Sequence, residues 1–299
     1  MATNPKNAAW YGGNVGSIIL PNAGNIFYVD GTNGLNTNDG LSVDTPVLTI
    51  TYALSLCVAG NEDYIIVLGY PSAGAAGETW PIPMNVANVH LIGASLYQAS
   101  PSAWIDPPAD TAGITLSAGF CEIAGLEIRG GATAACLENS GTVWRAHIHH
   151  NDFGFQSGAR DGLLIGTGAA DCPHWLVEYN KFGHGANITR DSIRIEQNST
   201  RSVIRNNYFY VNTGTVGIHL QGLCTAIGYI VDNTFKVADA ANGEAIYVEN
   251  INAEVVQFHG NRVASGNVAM AFNPYRDLGA GCHWGNNFAG IAPVLPVTV

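Results

Sequence analysis

The chain is short of charge. Lysine, arginine, aspartate and glutamate together make up 12% of its 299 residues, Lys6, Lys181 and Lys236 are its only lysines, and the formal net charge is −11. That leaves no basic footprint for a phosphate backbone, so nucleic acid is not an expected partner. No apolar run approaches the 18 or more residues of a membrane span, so membrane insertion is not expected either. The six cysteines (57, 121, 136, 172, 224 and 282) include no C-x-x-C pair. This argues against a zinc ribbon or thioredoxin-type site and for free, buried thiols. P-loop, nucleophile elbow, dinucleotide fingerprint and H-E-x-x-H are all missing. The opening residues, MATNPKNAAWYGGNVGS, lack a basic stretch followed by an apolar one, so no signal peptide is visible and synthesis in a host cytoplasm is expected.

What the chain has is apolar residues, at 47%, together with 36 glycines and a recurring Asn-any-Phe. Aligned on Asn151, Asn180, Asn207, Asn233, Asn261 and Asn286, it repeats every 25 to 29 residues. Three positions earlier stand Ile148, Val177, Ile204, Ile230, Phe258 and His283; two positions later stand Phe153, Phe182, Phe209, Phe235, Val263 and Phe288. Between successive Asn positions lies a second segment with alternating apolar residues: GLLIG (162–166), SIRIE (192–196), GIHLQ (217–221), AIYVE (245–249) and VAMAF (268–272). A coil of two or three short strands cannot bury its inner face alone. Stacked at the parallel-strand spacing of about 4.8 Å, such coils bury a continuous column. The expected fold is all-β, a parallel β-helix of roughly seven or eight rungs, with CEIAGLEIRGG (121–131) and VHLIG (89–93) in earlier coils. The asparagines are expected to form a structural ladder at a tight turn and the phenylalanines a core stack. Glu138, Gly166, Glu196, Gln221, Glu249 and Asn273 are expected to close the second strand, alternating carboxylate with neutral residue so that like charges do not stack.

With YVDGTNGLNTNDGLSVDTPVLTITYALSL (28–56) ahead of these coils, the chain resembles the pectin-lyase-like right-handed parallel β-helix superfamily, of the kind found in bacteriophage tailspike and decoration proteins. In such proteins a strand and loop lead into a short helix that caps the open end of a single-stranded solenoid; here Ile50, Ala53, Leu54 and Cys57 have helical spacing. The resemblance implies an N-terminal arm (1–27), an entry segment (28–70), a β-helix (71–288) and a C-terminal tail (289–299). The fold hosts lyases, hydrolases, adhesins and inert structural parts, so it implies no one activity.

Chemistry-bearing residues recur at matching positions on the aligned rungs. Asp161 and Asp191 share the entry to the second strand, with Glu244 two rungs on. Adjacent rungs would hold the two carboxylates about 5 Å apart, a separation a retaining glycosidase could use. His184 lies between them in Gly-His-Gly, similar to polygalacturonases, yet Glu196 replaces their lysine and the other acidic motifs are missing. The alternative is that Arg160 and Arg190 neutralise both aspartates in strand-entry turns. HIHH (147–150) puts His147 and His149 on one strand face with Glu178 and Arg205 above His149, short of the ligands a metal site needs; the expectation is surface histidines and no metal. The Asp30–Asp44 loop, with Asn36, Asn38 and Asp39, is oxygen-rich enough for Ca²⁺ but lacks EF-hand spacing, so an Asx-turn loop is the alternative. Tyr247 and Trp284 are outward aromatics that could stack on sugar rings.

Both ends are apolar. Residues 1–25 carry one charged side chain, Lys6, and include Trp10, Tyr11, Ile18, Ile19 and Leu20; the tail FAGIAPVLPVTV (288–299) has none. Free tails are ordinarily polar. These arms are expected to be covered, either folded over their own solenoid or docked on neighbouring subunits. The expectation from the whole chain is a non-enzymatic structural protein of a bacteriophage-type virion, a capsid decoration, spike or fibre component. It would be homo-oligomeric, a trimer by resemblance, in contact with other virion proteins. The alternatives are a polysaccharide lyase or glycoside hydrolase, and a non-catalytic module binding cell-surface glycan.

Overall fold

A computed structural model of the chain describes residues 24–293 apart from 71–74, 95–102, 109, 132, 155–159, 168–170, 184–187, 212–214, 222–226, 238–242, 250–255, 266–274, 279–281 and 290–291. The arm residues Trp10, Tyr11, Ile18, Ile19 and Leu20, the VAMAF segment and His184 lie outside the described residues. The described part is a parallel β-solenoid built from three sheets of ten, nine and eight strands. We call these the first, second and third sheets, in the order in which one turn of the chain visits them. From Glu122 to Asp277 six consecutive turns each place one strand in every sheet, for example His147–His149, Asp152–Phe153 and Asp161–Ile165. A less regular turn, Val89–Gly93, Trp104–Ile105 and Ile114–Leu116, precedes them, so the number of turns is close to the expected seven or eight.

The entry segment caps this column. Strand Ile26–Asp30 lies parallel to Asp63–Gly69 as the outermost rung of the first sheet. Helix Ile50–Leu56 packs against both strands and against Ile82–Met84, burying Ile50, Ala53 and Leu54. Its first turn is doubly capped: Thr49 Oγ1 accepts from Tyr52 N at 3.1 Å, and the Glu78 carboxylate accepts from Ile50 N at 2.8 Å and Thr51 N at 3.1 Å. Buried Asp63 fastens the segment by accepting from Asn25 N and Val58 N, each at 2.7 Å. At the far end Ala292–Pro293 turns back antiparallel on Phe288–Ala289.

Three columns of inward side chains fill the interior. In the second sheet the rings of Phe153, Phe182, Phe209 and Phe235 stack at centroid separations of 4.7, 4.9 and 4.7 Å, within 10° of parallel. That separation is the rung spacing itself, so each ring meets the next without any backbone adjustment. All four are fully buried, and each contributes about 1.5–3 kcal/mol through burial.

The asparagine ladder runs beside this stack. Asn180 Oδ1 accepts from both the backbone N–H and the side-chain amide of Asn151, at 3.0 and 3.2 Å, while Asn180 Nδ2 donates to Ile148 O at 2.9 Å. The same pattern links Asn180 to Asn207, Asn207 to Asn233 and Asn233 to Asn261. At the last rung the ladder residue is Asn287, which accepts from Asn261 N at 3.0 Å; Asn286 does not occupy that place. Asn286 instead has φ of +52°, as His150, Tyr179, Asn206 and Asp232 do one residue before their own ladder asparagines. The left-handed residue of the turn is therefore the one preceding the ladder, and the ladder asparagine follows it.

GNNFA thus superposes on RNNYF by its paired asparagines, which shifts the last rung by one residue from the Asn-any-Phe alignment. Phe288 pairs with Arg262 and lies outside the phenylalanine stack. Trp284, not His283, continues the column of Ile230 and Phe258, and stacks on Phe258 at 4.0 Å. The third sheet needs two further corrections. Its register sets Glu138 beside Leu164, and the position closing the strand holds Ser140 and Leu278 where Glu138 and Asn273 were expected. The last strand of this sheet is Tyr275–Asp277. Neighbouring glutamates at that position, Glu196 and Glu249, still have Gln221 between them.

Candidate functional site

Two charged networks lie on different sheets. On the third sheet Asp161 and Asp191 are Cα partners, as aligned, but both side chains are buried, at 0% and 2% exposure. Asp161 receives Arg190, through Nε at 2.8 Å and through Nη2, and Arg160 Nε at 3.3 Å. Asp191 takes Arg194 Nη1 at 2.6 Å and His219 Nδ1 at 2.9 Å, while Arg190 stands 3.9 Å away. His219 Nε2 continues to Glu249 at 3.0 Å, and Arg194 Nε to Glu196 at 3.0 Å. Neutralisation by arginine is therefore what the geometry provides, with Arg194 in the role expected of Arg190 at Asp191. Hydrogen-bonded to guanidinium groups in the interior, neither carboxylate is presented to a substrate.

The first sheet carries the second network on its outer face. Register places Tyr64, His90, Glu122 and His147 in one column, with His149, Glu178 and Arg205 in a neighbouring one. Glu62 Oε2 meets His90 Nε2 at 2.9 Å; His90 Nδ1 meets Glu122 Oε2 at 2.6 Å; Glu122 Oε1 meets His149 Nε2 at 2.6 Å. His147 Nε2 meets Glu178 Oε1 at 3.1 Å, and Arg205 Nε donates to Glu178 Oε2 at 2.7 Å. The rings of His147 and His149 stack at 4.1 Å, and His90 stacks on Tyr64 at 4.2 Å.

This chain of contacts reshapes the titration of its members. Burial works to raise the Glu122 carboxyl, but hydrogen bonds from His149 and His90 outweigh it and hold it well below the usual carboxylate range. Burial would lower His90, yet Glu122 and Glu62 together raise it above the ordinary imidazole value. His147 is lowered, by burial and by the neighbouring His149, against the pull of Glu178.

Glu178 and Arg205 stand beside His149 in register as aligned, but Glu178 bonds His147, and Arg205 occupies its other oxygen. The carboxylate that meets His149 is Glu122, which the sequence reading missed. The signal was present: aligning Ile123 with Ile148 puts Glu122 under His147, and aligning Leu91 with Ile123 adds His90. Tyr247 and Trp284 are both engaged within the chain. His219 stacks on Tyr247 at 4.8 Å and Arg276 lies over the ring at 4.6 Å, while Trp284 packs into the core and donates to Asp277 at 2.8 Å.

In the Asp30–Asp44 loop several of the oxygens accept from backbone N–H groups of the loop and of the helix entry. Asp30 Oδ1 accepts from Thr32 N and Asn33 N at 2.9 and 3.0 Å, and Asn36 Oδ1 accepts from Leu48 N and Thr49 N at 3.0 and 3.1 Å. The Asp30 contacts are of the Asx type, and those of Asn36 tie the loop to the start of the helix.

No protein-family model, curated protein or solved structure matches the chain. What the site can do follows from its own geometry.

Proposed function

We propose that this protein is a non-enzymatic structural component of a bacteriophage-type virion, a decoration, spike or fibre subunit that works by presenting a rigid β-solenoid surface. The observation that carries this reading is the state of Asp161 and Asp191. The pair of carboxylates that the aligned rungs single out for glycoside chemistry is buried and locked to Arg190, Arg160 and Arg194. The unbroken ladder and ring stack favour the same role, because a column whose every rung bonds the next resists local opening. Assembly into a homo-oligomer, a trimer by analogy with tailspikes, would cover the apolar arms. The particle would be the site of residence, with neighbouring virion proteins as partners.

The test joins composition to activity. Gradient-purified particles are expected to contain the chain by mass spectrometry, and the isolated protein to have an oligomeric mass by light scattering. It is also expected to release no reducing ends or unsaturated sugars from a panel of acidic polysaccharides. A monomer missing from particles would overturn the proposal, as would sugar release abolished by Asp161→Asn.

A further inference from the structure

Glu122, His147 and His149 each offer a ligand atom within 4.8 Å of the other two, on adjacent strands of the first sheet. We infer that these three side chains form a binding site for a divalent transition-metal ion of the zinc class, open to solvent on its outer side. This goes beyond the structural role and does not depend on it.

The donor set has the right chemistry. Two imidazoles and one carboxylate suit zinc and its neighbours, and three protein ligands leave a fourth position for water or an incoming donor. Tetrahedral zinc with ligands at about 2.0–2.1 Å keeps them about 3.4 Å apart, so modest side-chain rotation brings the three atoms into range. His149 Nε2 and Glu122 Oε1 already stand 2.6 Å apart, around a proton that an ion would displace.

The surroundings are those of a prepared site. Glu122 presents one oxygen to His149, and its other oxygen is held by His90, which is held in turn by Glu62; His147 Nε2 is held by Glu178. His149 turns its second nitrogen to His150 at 2.8 Å. Such outer contacts fix ring orientation and carboxylate direction. The ligands stand on paired strands, which position side chains more rigidly than a loop does. Side-chain exposures of 24% for Glu122, 35% for His147 and 11% for His149 leave one side open for entry. Cys121, beside Glu122 in sequence, is buried and directs its thiol to Val86 O, so sulfur is not part of the set.

The experiment is zinc titration of the full chain by calorimetry, paired with thermal unfolding. One ion per chain is expected, with a melting temperature that rises saturably with zinc. The double variant His147→Ala/His149→Ala should lose both effects, and its unchanged circular dichroism without metal would show that it folds. His90→Gln, which touches only the outer oxygen of Glu122, should weaken binding about tenfold. Cobalt in place of zinc should give d–d bands without a thiolate charge-transfer band. No zinc binding by the wild-type chain, undiminished binding by the folded double variant, or a thiolate band would each overturn the assignment.

Discussion

The networks on the third and first sheets use similar carboxylates and differ in what faces them. On the third sheet Asp161 and Asp191 are buried and their main partners are arginines, which keep their proton at any pH a protein survives. On the first sheet Glu62, Glu122 and Glu178 sit on an outer face and most of their partners are histidines, which can give up a proton and bind something else. The third-sheet network is held mainly by arginines, with His219 between Asp191 and Glu249, whereas the first-sheet network is held mainly by histidines that can exchange partners. Burial and partner type, more than the number of charges, separate a structural ion cluster from a site.

The scale for breaking this contrast comes from the ladder between them. Asn207→Ala removes the oxygen that accepts from Asn180 N and from the Asn180 side-chain amide, leaving the buried Asn180 N–H without its acceptor, and takes one donor from Val177 O. A loss of about 3 kcal/mol is expected in urea unfolding, with assembly by the folded protein unchanged. Asp161→Asn comes next. It strips the charge facing Arg190 and Arg160 but keeps the shape, and those arginines are a third or more exposed and can be hydrated. About 2 kcal/mol is expected, below the range for fully buried pairs. Glu178→Gln is the counterpart on the first sheet; Glu178 is itself buried, at 8% exposure, but its partners Arg205 and His147 are 45% and 35% exposed, so about 1 kcal/mol is expected, less than for Asp161→Asn. Equal losses for Asp161→Asn and Glu178→Gln would erase the distinction between the two networks.

The stacking of coils was legible in the sequence because an inward position repeated through many rungs is over-determined. Ile148, Val177, Ile204, Ile230 and Phe258 could hardly align any other way. Errors arose where one residue type can fill two positions. Asn286 and Asn287 are both asparagine, and Phe288 looked like a core ring when it stands in the place of Tyr208. Outward positions carry no hydrophobic signal, so the Glu122 contact to His149 appeared only once the register of the irregular upstream coil was set. Partner choice was not legible either. Nothing in sequence order tells which of Arg190 and Arg194 will reach Asp191, because that depends on side-chain rotamers and on where each leaves the backbone, Arg190 from the turn before the strand and Arg194 from within it.

Glu138 offers the finest test of the third-sheet network, and of opposite sign to the others. Burial raises its carboxyl above the ordinary 4.5, with Asp161 adding to the shift and Arg160 opposing it. The folded chain therefore holds this proton more tightly than the unfolded chain does. Its contribution favours the native state at low pH and is lost as pH rises through the folded value, so at neutral pH the ionised group is a burden. Glu138→Gln stays neutral throughout. It should raise the urea midpoint slightly at about pH 7 and leave it unchanged near pH 3, below the ordinary carboxylate range, where the wild-type group is protonated in both states. A lower midpoint at neutral pH would mean that attraction to Arg160 outweighs burial, and that the arginines of this sheet have capacity beyond the two aspartates they hold.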